Sequence, residues 1–383
     1  MPAPCVYQVN LQQQFGGGEV YTRFFTLAMI ELGYKVVLYV SRRADYWASL
    51  LPSGVELIAV DGAEDILRRL PQQRSLVVTQ TALDAGEAQW VAARHMLCGF
   101  VHMPLYERNP SGFKHYRFLL PVSRYVLASI QGRGYASAYA EPMYGVADPA
   151  RDAPNTAVLR HSEYDWDRRK LRDRLLGLTE PWWRMNQTAL SFDKRPGLTL
   201  GLVSRLTPIK QFPLLFGILA PVIARFPRVN LEIFGSGGYA SVRDLRASLA
   251  PMDGQARFWG QQSNVAAVYP QLDYVMSGLP EKEALGLNLI EAQYCGTPVL
   301  AVRAPPFTET VIDGETGFFF VDPREDGGAS FAELLQRLQD GAARPDPRAA
   351  IAHLERFSFA AFRVRVARAL AAIAAAPAIG VQA

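Results

Sequence analysis

The chain has 383 residues, 49% hydrophobic and 20% charged, with a formal net charge of +4. That composition buries a core and excludes a disordered chain, and so small and evenly spread a charge excludes nucleic acid as a partner. Cys5, Cys98 and Cys295 have neither metal nor disulfide-framework spacing, no apolar run approaches the ~18 residues that span a bilayer, and Met1 to Cys5 do not open a signal peptide. The expected location is therefore the cytoplasm, or the inner face of the cytoplasmic membrane as a peripheral protein.

Strand-like runs at 36–40, 76–79, 99–101, 198–202, 231–234 and 299–302 alternate with amphipathic helical patterns. This is the rhythm of doubly wound parallel sheets, and the length suits two Rossmann-like domains. Near the start, Gly16, Gly17 and Gly18 follow a short apolar stretch and precede a helical pattern at Phe24, Leu27, Ala28 and Leu32. Strand, glycine loop and helix in that order suit a turn that approaches phosphate or sugar. They also suit a merely tight turn, because neither dinucleotide-binding nor Walker spacing is present. His102 closes the strand-like run from Cys98, and a single histidine there fits a structural role as well as a functional one. From Lys114 to Arg133 no acid occurs, and Lys114, Arg117, Arg124 and Arg133 interleave with Phe113, Tyr116, Phe118, Leu119 and Tyr125. That pattern suits anionic lipid headgroups, and equally an acceptor-facing or solvated surface.

After Asp148 the strand rhythm lapses. Arg151 to Asn155 read as a linker, Glu163 to Arg174 as a basic helix and Thr179 to Trp183 as an insertion. Asp165 and Asp167 form the D-x-D string of the chain, which invites a metal. They precede a helical run beginning at Arg168, where acids cap a helix start and complement its dipole, so no metal site is assigned. The domains are placed at 1–160, 161–357 and 358–383, the last a helix over 360–373 with a frayed tail from Pro377.

Glu283 and Glu291 are separated by seven residues and lead into Gly296, Thr297 and Pro298 before the strand at 299–302. Gly286 breaks the local pattern, and Leu287, Leu289 and Ile290 supply an apolar helix face. Glu283 is expected in the loop before this helix, beside N–H groups without intrahelical partners, and Glu291 about two turns further on. Such a helix start attracts phosphate, a loop carboxylate accepts from sugar hydroxyls, and one deeper in the helix grips a ribose diol. Two solvated glutamates on an ordinary helix fit the spacing as well.

Around these acids the chain resembles the retaining GT-B glycosyltransferases of family 4. The glutamate, glycine, glutamate and small-residue turn at 283–298 resemble that family's signature, and Arg205, Leu206 and Lys210 resemble its "G-R-L-x-x-x-K-G" segment, with Ser204 and Gln211 in place of the two usual glycines. Leu231 to Gly237 resembles the strand and glycine turn before the nucleobase pocket, and Glu309 to Gly317 resembles the closing "E-x-I-x-D-G-x-T-G" element. Ser123 and the turn at Met143 to Asp148 are weaker echoes, with Tyr144 where asparagine is usual.

The resemblance implies two Rossmann-like domains facing a central cleft, with a C-terminal helix crossing back onto the first. It implies transfer of a hexose, with retention, from a UDP- or GDP-linked donor to a hydroxyl of a saccharide or lipid-linked acceptor, in surface polysaccharide or lipopolysaccharide synthesis. Arg205 and Lys210 would hold the departing diphosphate, so neither metal nor other cofactor is expected. Glu283 would position sugar hydroxyls and His102 would meet the transferred sugar. Gly286, Leu287 and Glu291 would complete the donor site, and Gly16, Gly17 and Gly18 would approach phosphate or acceptor. Same-fold alternatives are a nucleotide-sugar epimerase or a phosphorylase. A non-catalytic nucleotide-sugar scaffold is the other, motivated by Ser204, Gln211 and Tyr144.

Overall fold

The computed structural model describes residues 4–106, 108–147, 157–166, 170–183 and 190–376. The chain divides into two compact units, Met1–Val146 with Glu355–Ala383, and Ala147–Leu354. The sequence-based boundaries at 160/161 and 357/358 compare with 146/147 and 354/355 in this division. The linker expected at Arg151 to Asn155, Asp148 of the turn, and the tail from Pro377 lie outside the described residues.

The first unit holds strands β1 (Cys5–Asn10), β2 (Lys35–Ser41), β3 (Glu56–Val60), β4 (Leu76–Thr79), β5 (Met96–Val101) and β6 (Phe118–Pro121). They pair in parallel in the order β3-β2-β1-β4-β5-β6. The central strands are apolar on both faces, as a sheet covered by helices on each side requires, and Val6, Leu38, Val77 and Leu97 are all buried. Local capping sets the helices between them. Asp84 and Glu87 form a reciprocal capping box at the start of Ala85–Arg94, and Ser123 accepts from Val126 N–H (3.1 Å) to open Arg124–Gly132. The weak "V-S" echo at Ser123 is therefore a helix cap.

The helix Phe359–Ala375, capped by Ser358, completes this unit. It packs on the helix Gly17–Glu31 through Phe24 with Phe359 and Tyr21 with Phe362, and Arg363 reaches Glu31 at 2.6 Å. Tyr144 is part of this packing. Its buried ring meets Phe357 edge-on, and the guanidinium groups of Arg356 and Arg365 lie 5.2 and 5.3 Å from its centre. The residue that departs from the family pattern thus helps to hold the returning helix.

The second unit holds β7 (Leu198–Val203), β8 (Val229–Phe234), β9 (Ala256–Phe258), β10 (Tyr274–Met276), β11 (Val299–Val302) and β12 (Gly317–Phe320). Their parallel order is β12-β11-β10-β7-β8-β9. Counted from its own first strand, this is the order of the first sheet and of the dinucleotide-binding fold. Each sheet therefore reverses its winding once, between β1 and β4 in the first unit and between β7 and β10 in the second. At such a switch the two flanking loops diverge to opposite faces and leave room at the carboxyl edge for a ligand.

Two expectations are corrected. Phe113, Tyr116 and Leu119 are buried and Phe118 and Tyr125 half-buried, whereas Lys114, Arg124 and Arg133 are exposed. Most of the apolar side chains of the 113–133 stretch are thus taken up by the core. The basic helix is Leu171–Trp183 and runs through the segment expected to be an insertion; Asp165 lies six residues before its start and does not cap it, and Asp167 lies outside the described residues. Among the described residues no helix is long and apolar enough to cross a membrane, and no three His, Cys, Asp or Glu side chains gather as a metal site.

Candidate functional site

In the second unit, the chain leaves β7 at Val203, turns through 204–211 and enters the helix Phe212–Ala224. It leaves β10 at Met276, crosses 277–286 and enters the helix Leu287–Tyr294. These are the two loops of the switch point, and they carry Arg205, Lys210, Glu283 and Gly286. Residues far apart in sequence meet here because β7 and β10 are neighbours in the sheet.

The first loop is held by its neighbour after β8. Ser204 N–H donates to the Phe234 carbonyl (3.0 Å) and Leu206 N–H to the Ser236 carbonyl (2.8 Å). A Cβ on Gly235 would lie 1.8 Å from the Ser204 carbonyl oxygen, and one on Gly237 would lie 1.9 Å from that of Leu206. The two glycines therefore let the backbones close together and set the path of the Arg205 loop. At its end Gln211 sits at φ 54°, ψ 26°, the left-handed conformation in which the resembling family carries glycine.

Lys210 and Glu283 form an ion pair across the switch point. Glu283 is only 9% exposed, so its carboxylate faces the cation with little competition from water. Arg205 is half-buried on the same loop as Lys210. Gly286 (φ 79°) turns the second loop into its helix, with the Phe307 ring against its Cα, and Asn288 Nδ2 donates to the Val203 carbonyl (3.0 Å), tying the helix start to the end of β7. Leu289 N–H donates to the Gly286 carbonyl (3.0 Å), which leaves the N–H groups of Leu287 and Asn288 as the donors of the helix start.

Glu291, about one turn into this helix, accepts a hydrogen bond from Tyr269 Oη at 2.9 Å. Burial pushes its carboxyl up to about 7, opposed only by that hydrogen bond, and burial followed by the neighbouring Glu291 holds the Tyr269 phenol well above its usual range. Thr297 Oγ1 donates to the Tyr269 carbonyl (2.6 Å), so the turn after the helix fixes the tyrosine that orients the acid. Tyr269 and Asn288 were not singled out in the sequence. Tyr269 lies 22 positions from Glu291, and no local motif links them.

The first unit builds a smaller polar group at its own switch point. The helix Gly17–Glu31 begins inside the glycine run, with Gly16 as its cap. His102, just past β5, pairs through Nε2 with Gln80 Oε1 (2.7 Å), just past β4, and packs against Phe100 and Tyr21. A Cβ on Gly18 would come 4.0 Å from the His102 ring, so glycine run and histidine share this edge of the sheet. Burial pushes His102 down to about 4, so it is neutral at pH 7. Asn10 Nδ2, at the end of β1, donates to buried Glu19 (3.2 Å) and to Thr22 (2.8 Å) and stiffens the start of the helix. Gln80 carries no sequence motif and was missed.

The chain is similar to known proteins. Residues 192–348 match the family model described as glycosyl transferases group 1. A phosphatidyl-myo-inositol mannosyltransferase of Mycolicibacterium smegmatis is 30% identical over 153 residues, 39% of this chain and 38% of that protein. A D-inositol 3-phosphate glycosyltransferase of Rhodococcus erythropolis is 34% identical over 179 residues, 43% of this chain and 39% of that protein. The matched segment thus spans about two fifths of these relatives. Among solved structures, HepE of Anabaena in complex with UDP and glucose superposes with a TM-score of 0.68 at 15% identity, over 96% of this chain and 100% of that one. A glycosyltransferase of Rickettsia africae gives 0.69 at 14%, over 98% and 100%.

Proposed function

We propose, from the premise that residues 192–348 are a glycosyl transferases group 1 domain in a chain of GT-B fold, that this protein is a retaining hexosyltransferase. It would take a nucleotide-diphosphate sugar as donor and a hydroxyl of a saccharide or lipid-linked glycan as acceptor. The observation that carries this is the Lys210–Glu283 pair at the switch point, beside a helix start and a half-buried arginine. A relative named as a mannosyltransferase and a neighbour solved with UDP and glucose support a nucleotide-linked hexose.

The chemistry follows from where charge develops. As the bond between the anomeric carbon and the phosphate oxygen breaks, negative charge collects on the diphosphate. Arg205, Lys210 and the N–H groups of Leu287 and Asn288 are fixed positive poles for it, so a divalent cation has no required part. Glu283 accepts from hydroxyls of the hexose and Glu291 from the ribose diol. The acceptor oxygen bonds the anomeric carbon on the face the phosphate leaves, and its proton passes to the departing phosphate oxygen. Neutral His102, with the glycine run beside it, serves the sugar and acceptor side. Surface polysaccharide or lipopolysaccharide assembly, on the cytoplasmic side of the membrane, is the setting we assign.

A panel of UDP-, GDP- and ADP-linked hexoses tests this, scored for donor hydrolysis and for thermal stabilisation. One donor should both stabilise the protein and be hydrolysed slowly. Stabilisation without hydrolysis or transfer to any glycan would favour the scaffold alternative, and neither effect with any donor would refute the assignment.

A further inference from the structure

The helix Leu171–Trp183 is mounted inside out. Leu171, Leu175, Leu178 and Trp182 recur at spacings of four, three and four, the stripe that normally seals a helix to its core, yet they are 70%, 57%, 74% and 81% exposed. The inner face carries the acids. Asp173 and Glu180 are buried, the first paired with Arg172 (2.9 Å), the second accepting from Ser162 Oγ and Trp166 Nε1. Gly177 lets the helix close on Trp166, whose ring stacks on Tyr164 (4.8 Å) and Tyr239 (6.4 Å). Arg172 also lies over the Tyr239 ring at 5.0 Å. The helix is therefore anchored by polar and aromatic contacts, with its apolar stripe outward by construction.

We propose that this stripe docks the protein on an anionic lipid surface. Both acids of the helix are turned inward, so the charges it exposes are cations, Lys170, Arg172 and Arg174 at its N-terminal end. An apolar stripe with exposed cations beside it and a tryptophan at the far end lies flat at the level of lipid headgroups. A second copy of the chain fits less well. The stripe covers fewer than two heptads, short of a stable coiled-coil seam, and a parallel pairing with itself would bring cation to cation. In the 113–133 stretch, by contrast, Phe113, Tyr116 and Leu119 are buried.

Sedimentation of the full chain with vesicles tests the proposal. Vesicles of phosphatidylcholine with phosphatidylglycerol should carry the protein down and those of phosphatidylcholine alone should do so far less, with the difference shrinking as salt rises. Leu175→Ser with Leu178→Ser should lower the partition at least 10-fold at unchanged melting temperature, and Trp182→Ser alone, at the most exposed position, should lower it several-fold. If the wild-type protein ignores anionic vesicles, or the Trp182→Ser variant partitions like wild type, the proposal fails. A dimer in solution that the double variant abolishes would assign the face to a second copy and overturn it equally.

Discussion

Lys210 and Glu283 hold each other across the switch point of the second sheet, joining the loop after β7 to the loop after β10. In the proposed function, the cation that meets the diphosphate is thus held beside the acid that meets a sugar hydroxyl. A bound donor must share or exchange these partners, and the pair sets both side chains in place beforehand, which limits the reorganisation that binding and reaction require.

Removing the acid separates the two roles. Glu283→Gln should leave the affinity for a bare nucleoside diphosphate unchanged or raise it by up to about tenfold, because Lys210 is released toward the phosphates. Transfer should fall by about 10²-fold, since the hexose loses its acceptor. Calorimetry beside single-turnover transfer reads both quantities. A loss of nucleotide affinity equal to that of Lys210→Ala would mean that the pair serves only to brace the loops.

Arg205→Ala should lower turnover by about 10²-fold with a matched donor, the scale for removing one preorganised charge from a developing anion. Activity of the wild-type protein should also survive excess EDTA. Loss on chelation that magnesium or manganese restores would refute the division of labour between these cations and the helix start.

The raised carboxyl of Glu291 makes a signed prediction. The folded protein keeps that proton up to about pH 7 whereas the unfolded chain releases it near 4.5, so this group's contribution to stability declines as pH rises between the two values. Glu291→Gln should remove that part of the pH slope, measured as the difference between wild-type and variant denaturation midpoints across the window. With the ribose diol donating to the charged form, as proposed, wild-type affinity for nucleoside diphosphate should rise with pH through 7. The variant should bind more weakly by about 1.5–3 kcal/mol above that pH and lose the pH dependence.

Gln211 holds a left-handed conformation without being glycine. Gln211→Gly should relieve that strain and raise the unfolding free energy by up to about 1 kcal/mol, the gain being reduced by the larger entropy of an unfolded glycine. Urea denaturation measures it. A destabilised variant would show that the side chain contributes more than its backbone conformation costs.

What lay within one turn, loop or helix was legible in the chain itself. The Glu283, Gly286 and Glu291 spacing, the glycines at 235 and 237 and the alternation of strand and helix are local, and elementary sterics and hydrogen bonding assign them before any fold exists. Position alone did not show what faces them. The Lys210–Glu283 pair spans 73 positions and arises only because β7 and β10 become neighbours, and the bond from Tyr269 to Glu291 depends on the turn that fixes the tyrosine. Sidedness was the other matter that tertiary structure decided. Phe113, Tyr116 and Leu119 turn inward, whereas Leu171, Leu175 and Leu178 turn outward. A periodic stripe specifies a helix face, but which face is buried depends on what the rest of the chain sets against it, and here Trp166, Ser162 and Arg172 took the acids and left the leucines to solvent.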